Sequence, residues 1–256
     1  LAPKLRPHCA ELESRSSTKE FAGLLSDCHS CYFHQRMVLL SGPISDALAE
    51  IASSPASSSL QTIARSSCAL AVRACRSELG LYGQFFKSSS PLTRKLIEGI
   101  SASVEFVLRP LVIHASMIDP LCAAVSVIKT DVLEQEALTG DLFPLADTLA
   151  AIIREAQERL TFLAQKIIQS EVAEFVPTDQ DLDYPAKLSA HQGQPQTQQQ
   201  ELDVVQVVQG LYSTWYPTLQ RTLMLLSKLY LTVDVSLKII IITISLQLRF
   251  RNPFTE

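Results

Sequence analysis

One feature constrains this chain more than any other: apolar residues return at helical spacing over long, uninterrupted distances. Leu145, Leu149, Ile152, Ala156, Leu160, Leu163 and Ile167 follow one another at steps of four and three. That period of about 3.6 residues lines one side of an α-helix, and it excludes a strand, whose faces alternate every second residue. Arg154, Glu155, Glu158, Arg159 and Lys166 fall off the stripe, as a solvated face requires. A second stripe runs through Cys68, Val72, Cys75, Leu79, Tyr82 and Phe86, and a third through Leu96, Ile100, Val104, Val107 and Leu111. Met37, Leu40, Ile44, Leu48 and Ile51 make a fourth, across which Gly42-Pro43 is expected to kink or split the helix.

Punctuation between the stripes is equally regular. Ser88-Ser89-Ser90-Pro91 reads as a loop, and Pro110 as a bend. Asp119-Pro120 reads as an N-cap followed by proline at the first helical position, opening a helix that runs to about Ala137. Periodicity stops at Pro177, and HQGQPQTQQQE offers no aliphatic or aromatic side chain to bury, so Leu188 to Glu201 reads as a disordered linker. A helix restarts at Pro217, whose missing N–H is tolerated in a first turn, with Leu219, Leu223, Leu226 and Tyr230 as its apolar stripe. Trp215-Tyr216 just before it suits a hydrophobic staple or, alternatively, a partner surface. Near the end, Ile242, Ile244, Leu246 and Leu248 alternate with Thr243, Ser245 and Gln247 in a strand-like pattern.

The expected architecture is all-α: an elongated antiparallel helical bundle. Its divisions are a helical body over 1–176, a loop and disordered linker over 177–203, a further helix packing on the body over 204–236, and an atypical tail over 237–256. With 256 residues, 47% of them hydrophobic and only 8 glycines, the chain can bury a sizeable core and has little of the glycine that turn-dense β folds use. A net charge of -4 offers no basic field for nucleic acid. The chain begins at Leu1 and shows no signal-peptide pattern. Its most apolar run, Ile239 to Leu248, is shorter than the roughly 20 residues a membrane-spanning helix needs. Six cysteines without a secretory signal fit reduced cytosolic thiols.

Signals for chemistry are sparse. Cys28-His29-Ser30-Cys31 with His34 resembles half a zinc site, but the other half is missing, and the EFAGLLSD before it reads as helix rather than the strand of a thioredoxin-like motif. His114 lies beside an apolar stripe, where packing explains it better than base catalysis. Asp179, Asp181 and Asp183 alternate in what reads as a loop, without the glycine turn and bidentate glutamate of a calcium loop. No phosphate-binding glycine loop, nucleophile elbow or HExxH pair is present. No cofactor, metal or small-molecule substrate is expected, and no enzyme.

Identity is carried instead by DLDYPAKL at Asp181 to Leu188, WYPTLQRTLMLLSKLY at Trp215 to Tyr230 and LRPLVIHASMIDPLC at Leu108 to Cys122. With LRPHCAELESRSSTKEF near the start, CYFHQRMVLLSGPI and QERLTF in the same order, they resemble the third-subunit family of the conserved oligomeric Golgi complex over most of Leu5 to Tyr230. The resemblance implies a rod of helical bundles without an active site. It also implies a peripheral tether on the cytosolic face of the Golgi, acting in retrograde vesicle traffic and in retaining glycosylation enzymes. Its implied partners are the other subunits of the complex and, through them, Golgi trafficking factors. The signature residues proposed for contact are Arg109, Pro110, Asp183, Tyr184, Pro185, Trp215, Tyr216 and Pro217. Two departures from the family pattern are expected: its N-terminal coiled-coil portion is absent, and the segment after Tyr230 does not continue as helix.

Overall fold

The computed structural model describes residues 2–54, 59–136, 138–183, 215–230 and 232–233, and among them every regular element is helical. In chain order these are α1 (Ala2–Ser14), α2 (Lys19–Ser53), α3 (Leu60–Phe85), α4 (Pro91–Ile113), α5 (Ile118–Ser126), α6 (Phe143–Ile168), α7 (Asp179–Leu182) and α8 (Pro217–Leu229). The chain divides into two compact units, Leu1–Arg159 and Leu160–Glu256, and the division falls within α6. The linker residues 188–201 and the strand-like segment 242–248 lie outside the described residues.

In the first unit, α2, α3 and α4 pack on one another, α5 joins α3, and α1 lies on α2 and α3. Each start has a local cause. The Ser59 hydroxyl accepts from the Thr62 amide at the head of α3, and Ser90 does the same for Leu92 at the head of α4, where Pro91 occupies the first turn. At one end of the bundle Leu25, Phe33, Tyr82, Phe86 and Leu96 form an aromatic-rich cluster, with Phe33 stacked on Tyr82 at 5.3 Å. Beside it Arg36 makes a two-pronged ion pair with the buried Glu78, at 2.7 and 2.6 Å. This part-buried pair joins α2 to α3, and the cost of desolvating Glu78 offsets much of its attraction. Gly99 lets the two helices α2 and α4 approach, because a Cβ there would lie 2.5 Å from the Met37 methyl.

Several elements differ from their sequence expectations for identifiable reasons. Gly42-Pro43 does not split α2, which runs unbroken from Lys19 to Ser53. Pro43 and Leu39 are both exposed, so water can serve the Leu39 carbonyl that the proline leaves without a donor. The buried side of α4 continues from Val104 through Leu108 and Val112 in steps of four, leaving Val107 and Leu111 half-buried at its edge. α5 is capped at Met117 rather than Asp119, which lies in the first turn with Pro120. It gives way at Val127 to π-helix that ends at Glu134, short of Ala137. Ion pairs Arg65–Asp131 and Arg76–Glu136 tie that wider coil to α3 or flank it. On α6 the stripe holds through Leu163 and then ends at Ile168 rather than Ile167. Asp179 and Asp181 sit on a single helical turn rather than a loop, where Asp181 accepts from the Thr178 amide and hydroxyl at 3.0 and 2.7 Å.

Candidate functional site

The outer side of α4 follows from its inner one. With Leu96, Ile100, Val104, Leu108 and Val112 buried, helical geometry places Ala102, Phe106, Arg109 and Ile113 on the opposite face. Phe106 is 79% exposed, a large aromatic in water on a helix whose inner side is already packed. Ala102, Glu105, Phe106, Arg109 and Pro110 line an open depression of about 280 Å³ beside it. The Arg109 guanidinium bridges Glu105 at 3.1 Å and Glu155 of α6 at 2.9 Å. Arg159, one turn further along α6, donates to the Ala115 carbonyl at 2.9 Å. Glu155 and Arg159 therefore hold the end of α4 instead of forming a plain solvated face. The depression presents apolar surface and a cation already matched by two carboxylates, which suits an apolar side chain better than a reaction.

In the second unit, Tyr216 caps α8 and Pro217 fills its first turn. The Tyr216 ring meets Phe175 edge-on at 5.9 Å, and the Arg221 guanidinium lies over the same Phe175 ring at 5.1 Å. Arg221 also donates to the Glu171 carbonyl at 3.1 Å, which fixes α8 on the π-helical turn Gln169–Ala173. The apolar stripe expected at Leu219, Leu223, Leu226 and Tyr230 is not the packed side. Thr218, Leu225 and Leu229 are buried, whereas Leu219 and Leu223 remain 39% and 37% exposed. The sequence pattern marked apolar positions beside the covered ones, with Leu226 half-buried between them. Trp215, just ahead of the helix, is also exposed.

The signature residues thus fall in both units. Arg109 and Pro110 lie on α4, Asp183 is the C-cap of α7, and Trp215, Tyr216 and Pro217 open α8, while Tyr184 and Pro185 lie outside the described residues. Cys28 and Cys31 share α2, half-buried and exposed in turn, with His34 exposed beyond them. His29 between them is buried on Phe86, with ring centroids 4.4 Å apart, and burial lowers its pKa against a smaller opposing pull from Glu13. Burial pushes the thiols of Cys68 and Cys75 up to about 12, so both remain protonated packing groups at neutral pH. Among the described residues no group of three His, Cys, Asp or Glu side chains is placed to hold a metal ion. His114 is the exposed C-cap of α4. Sequence reasoning missed Phe106, because exposure of an aromatic shows only once the buried side of its helix is known.

A family model described as "Conserved oligomeric Golgi complex subunit 3, C-terminal" matches residues 1–245, past the Tyr230 position where a departure was expected. A human protein named conserved oligomeric Golgi complex subunit 3 is 30% identical over 271 residues, covering 91% of this chain and 33% of its own length. Proteins of the same name from Drosophila melanogaster and Dictyostelium discoideum are 26% and 25% identical, each over 91% of this chain and 29% and 30% of their own lengths. The chain therefore spans about a third of the length of these relatives. No solved structure matches it.

Proposed function

The chain belongs to the conserved oligomeric Golgi complex subunit 3 family, by its C-terminal portion, and on that premise we propose that it serves as a non-enzymatic helical subunit of a Golgi vesicle-tethering complex. It acts there in retrograde intra-Golgi transport, and through that in the upkeep of Golgi glycosylation. Its partners are the other subunits of the complex and, through the assembly, Golgi trafficking factors. It works from the cytosolic face as a peripheral component; no helix among the described residues is long and apolar enough to cross a membrane. The observation that carries this reading is the family match over residues 1–245. Helices whose inner sides are packed and whose outer sides still hold Phe106, Leu219 and Leu223 in water support a mechanism by helix-face contact.

The signature positions Arg109, Pro110, Trp215, Tyr216 and Pro217 mark where those contacts form, and Asp183, Tyr184 and Pro185 belong to the same set. The sequence over 191–201 has nothing to bury, so limited proteolysis is expected to cut first there. Tagged full-length protein purified from cells recovers the other complex subunits, identified by mass spectrometry, and its depletion alters the glycans of Golgi-processed glycoproteins. Recovery of the protein alone, with normal glycans on depletion, overturns the reading.

A further inference from the structure

The outer helix α1 is held differently from every other element of the first unit. From Lys4 to Ser14 none of its residues is fully buried, and the apolar side chains it lends to the aromatic cluster are the half-buried Cys9 and Leu12. Its polar attachment is concentrated on one carboxylate. Oε1 of Glu13 accepts from the Lys87 amide at 2.8 Å, the Ser88 amide at 2.8 Å and the Ser88 hydroxyl at 2.7 Å. The donors all belong to the turn between α3 and α4, and that turn is fixed without α1. The Tyr82 hydroxyl donates to the Ser88 carbonyl at 2.8 Å, and Ser90 caps α4 just beyond.

We propose that α1 is a releasable strap, locked across the aromatic end of the bundle by the Glu13 carboxylate seated in the turn at Lys87 and Ser88. Two converging amides and a hydroxyl form a seat built for a carboxylate, and bonds to an ionised acceptor are about twice as strong as neutral ones. Partial burial works against ionisation of Glu13, yet the hydrogen bonds from Ser88 and Lys87 outweigh it and hold its pKa below the ordinary carboxylate range. Local opening of a weakly packed element costs far less than global unfolding. Release uncovers Cys28 of α2 and the cluster beneath it while leaving the seat intact, so the strap can close again. This device is independent of the tethering-subunit reading, because it rests on contacts within this chain.

The native cysteines report on it directly. In the full chain, rates of alkylation are read by mass spectrometry at Cys9 and Cys28, with exposed Cys31 as reference and buried Cys68 and Cys75 as monitors of the bundle. Glu13→Gln keeps the shape of the side chain and removes its charge. The expected result is a rise of about tenfold or more at Cys9 and Cys28, with no change at Cys68 and Cys75. Ser88→Ala, which removes one of the three donors, gives a smaller rise at the same two thiols. Unchanged rates at Cys9 and Cys28 in Glu13→Gln overturn the lock. A parallel rise at Cys68 and Cys75, or loss of the folded bundle, overturns the strap, because α1 would then open only with the whole unit.

Discussion

Helices α6 and α8 are built by the same rule and end in different conditions. Both repeat apolar residues at steps of four and three, and both start with a proline in the first turn. On α6 the repeat is enclosed: Leu145, Leu149 and Leu160 are completely buried. On α8 the enclosed positions are Thr218, Leu225 and Leu229, and two leucines of its regular repeat stay in water. An amphipathic repeat therefore states that a face needs covering without stating whether this chain supplies the cover. Where it does, the residues are a stability element; where it does not, they stay open to contact with another chain, as proposed above.

Truncation inside the enclosed type breaks the fold most. Leu160→Ala removes a fully buried side chain and costs about 2–5 kcal/mol through lost burial and the cavity left behind. Glu158→Ala, two residues away and exposed, changes little, and equal small losses in denaturant melts would show that the enclosed face is wrongly placed. Tyr216→Ala strips the ring that seats the start of α8 on Phe175 and costs about 0.5–1.5 kcal/mol. No loss in the melt would mean that this ring contact does not hold α8.

A titration sharpens the enclosed side. The folded state lowers the His29 pKa, chiefly by burial, so the unfolded chain takes up its proton first as pH falls. The associated stability is present above the unfolded value of about 6.5 and is lost as pH falls from there through the folded value. His29→Gln should flatten the decline in melting temperature between pH 7 and 5.5; an unchanged slope would place the His29 ring in water. The smallest effect belongs to the open side. Leu223→Ser changes stability by no more than about 0.5 kcal/mol, and a loss comparable to that of Leu160→Ala would mean that Leu223 is a core residue after all.

How far the fold could be read from the sequence follows the same division. The all-α class and most of the α3 and α6 stripes were legible because period alone identifies a buried row, although on α3 Glu78 is buried where Leu79 was expected and Leu79 is half-buried. Leu108 and Val112 were displaced by one position because α4 has apolar residues on both sides of that row, and only neighbouring helices choose between them. The π-helical stretch after Ser126 left no sequence mark, since it changes hydrogen-bond spacing without changing residue type. Arg109 was singled out by family resemblance alone, and its double pairing with Glu105 and Glu155 was not expected, because the second partner lies on another helix. Phe106 was hidden for a third reason: an aromatic on a helix is expected inward until the inner side proves full.

Phe106 gives the most direct test that open apolar positions serve assembly. Full-length protein carrying Phe106→Ser is compared with wild type in two measurements on the same preparation, thermal melting and co-purification of the other subunits of the Golgi complex. The account predicts an unchanged melting temperature with reduced subunit recovery. Full recovery of every subunit by the variant, or a melting temperature lowered as far as by Leu160→Ala, contradicts it.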